Sequence, residues 1–229
     1  MEYKKTYLDA MDDEEKGGFY AFRKFIPKRI IQKNSRKHLE LFQLRRWNYI
    51  KDCSKILDVG CGVGNFIRFN PYNVEVWGMD LIKESIERLN KLNIKAKQGD
   101  LNKKIPFEKD SFDGLTCFHV FEHILDPSIA LSEIKRVVKK NGKIIIAVPN
   151  LNFKKFYNDY THVKPYTRHS LKKLLKDFGF KKVKIVDGSH KSQVISGIFF
   201  FFPKIRFSIE AFLGQITPFE IIAIARNAK

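Results

Sequence analysis

Three carboxylates, three glycines and three histidines carry the chemistry open to this chain. Asp58 sits near the end of the apolar run Lys55-Ile56-Leu57-Asp58-Val59, and Gly60, Gly62 and Gly64 follow at every second position with Cys61 and Val63 between them. Glycine lets a backbone take positive φ and lets a ligand approach the main chain closely. A dinucleotide loop would need G-x-G-x-x-G, yet the third glycine would fall at Asn65 counting from Gly60, or at Ile67 counting from Gly62. The carboxylate of Asp58 also suits an ammonium better than a pyrophosphate. Asp80, twenty residues after Gly60 and followed by Leu81, is placed to accept two ribose hydroxyls. His119 and His162 are candidate general bases near neutral pH. His119 and His123 stand four apart with Glu122 between them, a spacing that can chelate a divalent ion when it lies on one helix face.

Alternating strands and helices must position these groups. Apolar runs predict strands over Lys55–Val59, Val74–Met79, Ile94–Gly99, Lys143–Asn150, Lys181–Val186 and Phe219–Arg226, and a fourth strand with the loop after it within Phe107–Phe121, His119 falling just past that strand. Helical spacing predicts helices over Lys83–Leu92, from Asp126-Pro127 to Asn141-Gly142, and over Thr167–Asp177 closing at Gly179. Such alternation argues for a parallel sheet. Ligands gather at the carboxyl ends of parallel strands, the edge on which Asp58, Asp80, Asp100, His119 and His162 all fall. Two further helices are expected between Phe19 and Tyr49, before a domain over 50–229, and the segment 188–217 is expected to be an insertion between the last two strands.

The order of these signals resembles the class I S-adenosylmethionine (SAM)-dependent methyltransferases, most closely the type 11 group, over residues 50–190 and the last strand. The loop Asp58-Val59-Gly60-Cys61-Gly62-Val63-Gly64 resembles their first motif, and Asn158-Asp159-Tyr160-Thr161-His162-Val163-Lys164-Pro165-Tyr166-Thr167 resembles the Asp-x-x-His-x-x-x-Tyr/Phe-Thr element of type 11 enzymes. The resemblance implies a Rossmann-like α/β fold with a seven-stranded, mostly parallel sheet, helices on both faces and an N-terminal helical extension. It implies SAM as cofactor, held by Asp58, Gly60, Cys61, Gly62, Gly64, Asp80, Leu81, Asp100, Leu101 and His119. Asp100 would accept from the adenine amino group while its apolar neighbour packs on the ring. His162 and His119 are the expected bases, and no metal is expected, because the Glu122-His123 pair occurs in the group without one and serves there to hold the loop.

Composition frames the partners. The 229 residues carry 43 Lys and Arg against 25 Asp and Glu, a formal charge of +18. Such a surface attracts polyanions: nucleic acid, an anionic membrane face, or phosphorylated and nucleotide-linked substrates. Three separated cysteines, Cys53, Cys61 and Cys117, give neither a disulfide framework nor a zinc knuckle, which favours a reducing cytoplasm. The apolar run Val194–Phe202 is about half the roughly 20 residues that span a bilayer. Aromatic residues at 19–25 and 199–202 suggest a lid of apolar character, compatible with a small to medium, amphiphilic or lipid-linked acceptor; oxygen is the favoured methyl-accepting atom, ahead of nitrogen or carbon. The alternatives are an RNA methyltransferase and a non-catalytic SAM-binding regulator.

Overall fold

Strands buried on both faces read as near-continuous apolar runs, and that is why the central strands of this chain were legible. The structure, a computed structural model, describes residues 40, 42–151, 156–188 and 220–229. Most of the expected N-terminal helices and the expected 188–217 insertion beyond residue 188, Phe199–Phe202 included, lie outside the described residues.

Helix α1 (residues 42–48) precedes β1 (Lys55–Val59), α2 (Asn65–Arg68), β2 (Glu75–Asp80), α3 (Lys83–Lys91), β3 (Ala96–Gln98) and β4 (Phe112–Phe118). Then come α4 (Ser128–Val137), β5 (Val138–Pro149), α5 (Arg168–Asp177), β6 (Lys181–Asp187) and β7 (Glu220–Arg226). One seven-stranded sheet runs in the order β3-β2-β1-β4-β5-β7-β6. The pairs within β3-β2-β1-β4-β5 are parallel, and β7 runs antiparallel to both β5 and β6. The expected Rossmann-like α/β sheet is therefore present, reversed at one strand.

Two apolar cores hold the elements to the sheet. One gathers Leu57, Leu115, Ile144, Ile146 and Phe121 with Leu131 and Ile134 of α4 and Leu171 and Leu175 of α5. The other gathers Trp47, Ile50, Phe66, Ile86, Leu89, Ile145 and Ile222. Trp47 is fully buried, stacks on Phe66 at 4.4 Å and donates its indole N–H to the Phe66 carbonyl at 3.1 Å. Trp47, in the expected 1–49 extension, thus packs with Ile50 into the core beside the sheet. At the other end of β1, both oxygens of Asp113 accept from Ser54 N and one also accepts from Lys55 N at 2.8 Å, which fixes the entry of the strand.

The fourth strand ends at Phe118 with His119 just past it, as expected, and the chain leaves the sheet through a 3₁₀ turn at Phe121–His123. Elsewhere a boundary shifts. Asn141-Gly142 does not end α4. The helix stops at Val137 and the chain enters β5 directly, with Asn141 at φ 61 and a register irregularity opposite Phe112/Gly114. The irregularity takes up the extra residues that sequence reading assigned to a helix end.

Gly60 adopts φ +72, and a Cβ there would run into Cγ2 of Val120. Gly60→Ala combines a left-handed backbone with this clash. It is expected to cost about 1–3 kcal/mol, seen as a lower denaturation midpoint at unchanged slope.

Candidate active site

The carboxyl ends of β1, β2 and β4 meet around the glycine loop. Gly60, Gly62 and Gly64 all have positive φ, at 72, 51 and 79. Gly60 N and Cys61 N both donate to the Met79 carbonyl, at 2.7 and 3.1 Å, so the loop is stitched to β2. Asp80 completes the stitch: its Oδ2 accepts from Gly62 N at 2.8 Å and its Oδ1 from Ile82 N at 2.9 Å. A carboxylate offers about four lone-pair sites, so two remain for a diol after these backbone bonds.

Asp58 is buried, and its Oδ1 accepts from the Thr116 hydroxyl at 2.7 Å. Asp58 and Thr116 are aligned partners on neighbouring parallel strands, which is why one hydroxyl in the otherwise apolar Leu115–Cys117 stretch reaches the carboxylate. Among the described residues Oδ2 accepts no hydrogen bond. Burial pushes this carboxyl up to about 7; the Thr116 bond and Arg46 pull it back only in part, and the Asp80 charge adds to the rise. A buried acid held this far from its ordinary range is incomplete without a cation beside it. The ammonium of SAM fits that deficiency, so these residues suit the cofactor that the sequence implied.

Leu81 and Leu101 separate. Leu81 is 57% exposed just past β2, while Leu101 is 5% exposed and belongs to the core. Of the two, Leu81 is the one with a face open to an adenine ring. Asp100 accepts from Asn102 N at 2.9 Å, which orders the turn after β3. Cys61 is buried, and its thiol is pushed up by burial and by Asp58 and Asp80, so it is inert as a nucleophile.

His119 stands at the end of β4 with φ 57, its N–H bonded to the Ala147 carbonyl at 2.9 Å. Its Nε2 lies 2.7 Å from Glu220 Oε2, and its Nδ1 lies 3.5 Å from Glu122 Oε1. Burial alone would lower its pKa, but the flanking carboxylates Glu122 and Glu220 outweigh burial and raise it to about 9. A histidine that already carries two protons at neutral pH cannot take another, so the geometry opposes the expected base role for His119. Arg46 of α1 donates to the same Glu220 oxygen at 2.7 Å, with its guanidinium sandwiched between the rings of Phe42 and Phe118 at 4.1 and 4.2 Å. Glu220 is fully buried; burial would raise its carboxyl, yet Arg46 and His119 hold it at about 2. Sequence reading missed Arg46, Glu220 and Thr116.

His162 lies apart from this charge cluster, beside His123, with ring centroids 4.9 Å apart. Its Nδ1 is 2.8 Å from the Phe156 carbonyl, and Nδ1 of His123 is 3.1 Å from the Thr161 carbonyl. A carbonyl oxygen can only accept, so Nδ1 of His162 carries a hydrogen, while Nδ1 of His123 also lies 3.0 Å from the Thr161 hydroxyl, which is 2.6 Å from Asp159 Oδ1. Next to them Glu122 is fully buried, and among the described residues neither of its carboxylate oxygens accepts a hydrogen bond. Its backbone carbonyl takes Val163 N and Lys164 N, joining the loop after β4 to the segment after β5. Tyr166 adds a second buried, unpartnered oxygen, with its phenol pushed up by burial and by the Glu122 charge. Leu125, Ile129, Tyr157, Tyr160 and Val163 remain largely exposed.

Comparison with known proteins agrees with this geometry. A methyltransferase-domain family model matches residues 28–185. The uncharacterized protein MJ1123 of Methanocaldococcus jannaschii is 32% identical over 143 residues, 56% of this chain and 65% of that protein. A ubiquinone biosynthesis O-methyltransferase of Alkalilimnicola ehrlichii is 30% identical over 124 residues, 48% of this chain and 50% of its own. The uncharacterized methyltransferase YcgJ of Bacillus subtilis is 33% identical over 40% of this chain and 39% of its own length, so these matches each span less than two thirds of the relative. In fold, a SAM-dependent methyltransferase from Archaeoglobus fulgidus superposes with a TM-score of 0.65 at 23% identity, over 96% of this chain and 99% of that one. With the family model covering most of the chain, and with the strand order, the glycine loop and the strand-end carboxylates in place, the chain belongs to the methyltransferase-domain family and has the fold of the SAM-dependent methyltransferases.

Proposed function

We propose that this protein transfers the methyl group of SAM to an oxygen atom of a small or medium-sized amphiphilic acceptor. SAM supplies a methyl group on a sulfonium, an already activated leaving group, so the chain's own task is alignment and removal of the acceptor's proton. Asp58 would hold the ammonium, Asp80 the ribose, and the glycine loop would let the cofactor lie against backbone. When the acceptor oxygen takes the methyl group, a C–O bond forms, the C–S bonding pair returns to sulfur and the hydroxyl proton leaves.

The observation that carries the oxygen reading is the Glu122-His123-His162 group, two histidines beside a buried carboxylate whose oxygens accept no hydrogen bond among the described residues. Groups that remove a proton near neutral pH are what a hydroxyl acceptor requires. Three ubiquinone biosynthesis O-methyltransferases at 29–32% identity support it from outside the site. The exposed Leu125, Tyr157, Tyr160 and Val163 favour an acceptor with an apolar part, and the +18 charge favours an anionic group on it. Among the described residues no helix is long and apolar enough to cross a membrane, so contact with a lipid-like acceptor would be made from the surface.

A methyl-labelled SAM screen tests the reading with hydroxylated amphiphiles, amines and RNA in parallel. Label is expected in an ether or ester of a hydroxylated compound. Transfer confined to amines or RNA, or SAM binding with no transfer to any class, overturns it.

A further inference from the structure

The sequence pointed to His119 and His123 as the pair that a cation would use, and to no metal. The three-dimensional arrangement gives a different grouping. One carboxylate oxygen of Glu122 and one ring nitrogen from each of His123 and His162 lie within 4.8 Å of one another, whereas His119 is drawn off to Glu220. Residues 122 and 162 are far apart in sequence but are brought together because Val163 N and Lys164 N bond the Glu122 carbonyl.

We propose that Glu122, His123 and His162 form a binding site for a divalent transition cation of the zinc class. Three features carry this beyond proximity. First, Glu122 is a fully buried carboxylate whose two oxygens have no hydrogen-bond partner among the described residues; His119, which it shares with Glu220, gives it charge from 3.5 Å but leaves both oxygens open to accept a cation. At that distance His119 Nδ1 attracts it without forming a good hydrogen bond. Second, both histidines are anchored through Nδ1, His162 by the Phe156 carbonyl at 2.8 Å and His123 by the carbonyl and hydroxyl of Thr161 at 3.1 and 3.0 Å. Metal-ligating histidines are oriented by a bond of that kind, with the lone pair left on the other nitrogen. Third, two imidazoles and one carboxylate are a donor set that suits zinc, manganese or iron and leaves at least one coordination position open.

Bonds of about 2.1 Å would bring the ligand atoms to within about 3.4 Å of one another, so the trio closes by roughly 1 Å on binding. Asp159 Oδ2, 3.7 Å from His162 Nε2, adds negative charge at the rim. At the open position a hydroxyl oxygen of the acceptor would lose its proton more readily. That role rests on the oxygen-methylation reading; the binding of the cation does not.

The test uses protein stripped with a chelator and then titrated with Zn2+ by calorimetry and with Co2+ by visible absorption. One equivalent is expected to bind, with the intense ligand-field bands of a four- or five-coordinate Co2+ site. Glu122→Gln and His162→Ala are each expected to weaken binding tenfold or more, while SAM affinity reports that the fold is intact. A wild-type spectrum of six-coordinate aquo Co2+, or variants that bind as tightly as wild type, overturns the site. Stoichiometric Co2+ binding together with methyl transfer only to amines upholds the site and overturns the oxygen reading, so the two failures are distinguishable.

Discussion

Glu220→Ala is expected to lower stability by about 3–5 kcal/mol, a fall in melting midpoint on the order of 10 °C. The carboxylate is fully buried and its Oε2 receives both Arg46 at 2.7 Å and His119 at 2.7 Å, so its removal leaves two cations facing each other at 3.3 Å. The loss comes chiefly from the uncompensated charges, not from the vanished bonds. Arg46→Met added to Glu220→Ala should therefore recover part of the stability, which a simple packing defect would not do. The pH dependence follows from the direction of the shift. The Glu220 carboxyl is held at about 2 against an ordinary 4.5, so its contribution is complete above 4.5 and is lost as pH falls toward 2. Denaturant midpoints of wild type and variant should converge over that interval.

Asp58→Asn is expected to weaken SAM binding by about 2–3 kcal/mol, on the order of a hundredfold, because the ammonium loses a charged acceptor. The same change should make the ligand-free protein more stable at pH 8. With its pKa raised from 3.8 to about 7, Asp58 contributes stability fully below 3.8 and loses it as pH rises through 7. Asparagine removes that cost. Wild-type SAM affinity should also fall about tenfold per pH unit below 7, as the carboxylate must ionise to meet the ammonium, and the variant should show no such slope. Calorimetry across pH 5.5–8 checks both. A variant that keeps wild-type affinity, or a flat wild-type profile, would take Asp58 out of the cofactor site.

What could be read from the sequence was local. The glycine spacing, the carboxylates after successive apolar runs and the capped helix at Thr167 are each specified within a few residues. Thr167 accepts from Ser170 N at 3.1 Å just where the helix was expected to start. The start of β5 was not legible, because Asn-Gly is a helix-ending signal that here serves a sheet irregularity. Nor was the charge cluster. Arg46 and Glu220 are 174 positions apart, and an arginine in a basic stretch or a glutamate opening a strand has nothing to mark it. Thr116 left a faint signal as a hydroxyl amid apolar neighbours, but its partner on β1 emerges only from the register. The juxtaposition of Glu122, His123 and His162 was hidden for a related reason: linear spacing puts His119 beside Glu122 and His123, and only the Glu122 carbonyl, bonded by Val163 N and Lys164 N, brings residue 162 near them.

The place of β7 in the sheet has a consequence for how the chain is made. It lies between β5 and β6 although it follows both in sequence. On a ribosome adding roughly 5–20 residues per second, Arg46 emerges about nine to thirty-five seconds before Glu220, which is 174 residues later. Once made, β5 is a bare edge until Glu220 and β7 follow, β6 has no β7 to join, and Arg46 and His119 await their counter-charge. A nascent chain stalled short of residue 220 would present an open, apolar strand edge to its neighbours. The last strand therefore acts as a zipper closed from the far end, and the interval before it closes is when this protein would most need a chaperone.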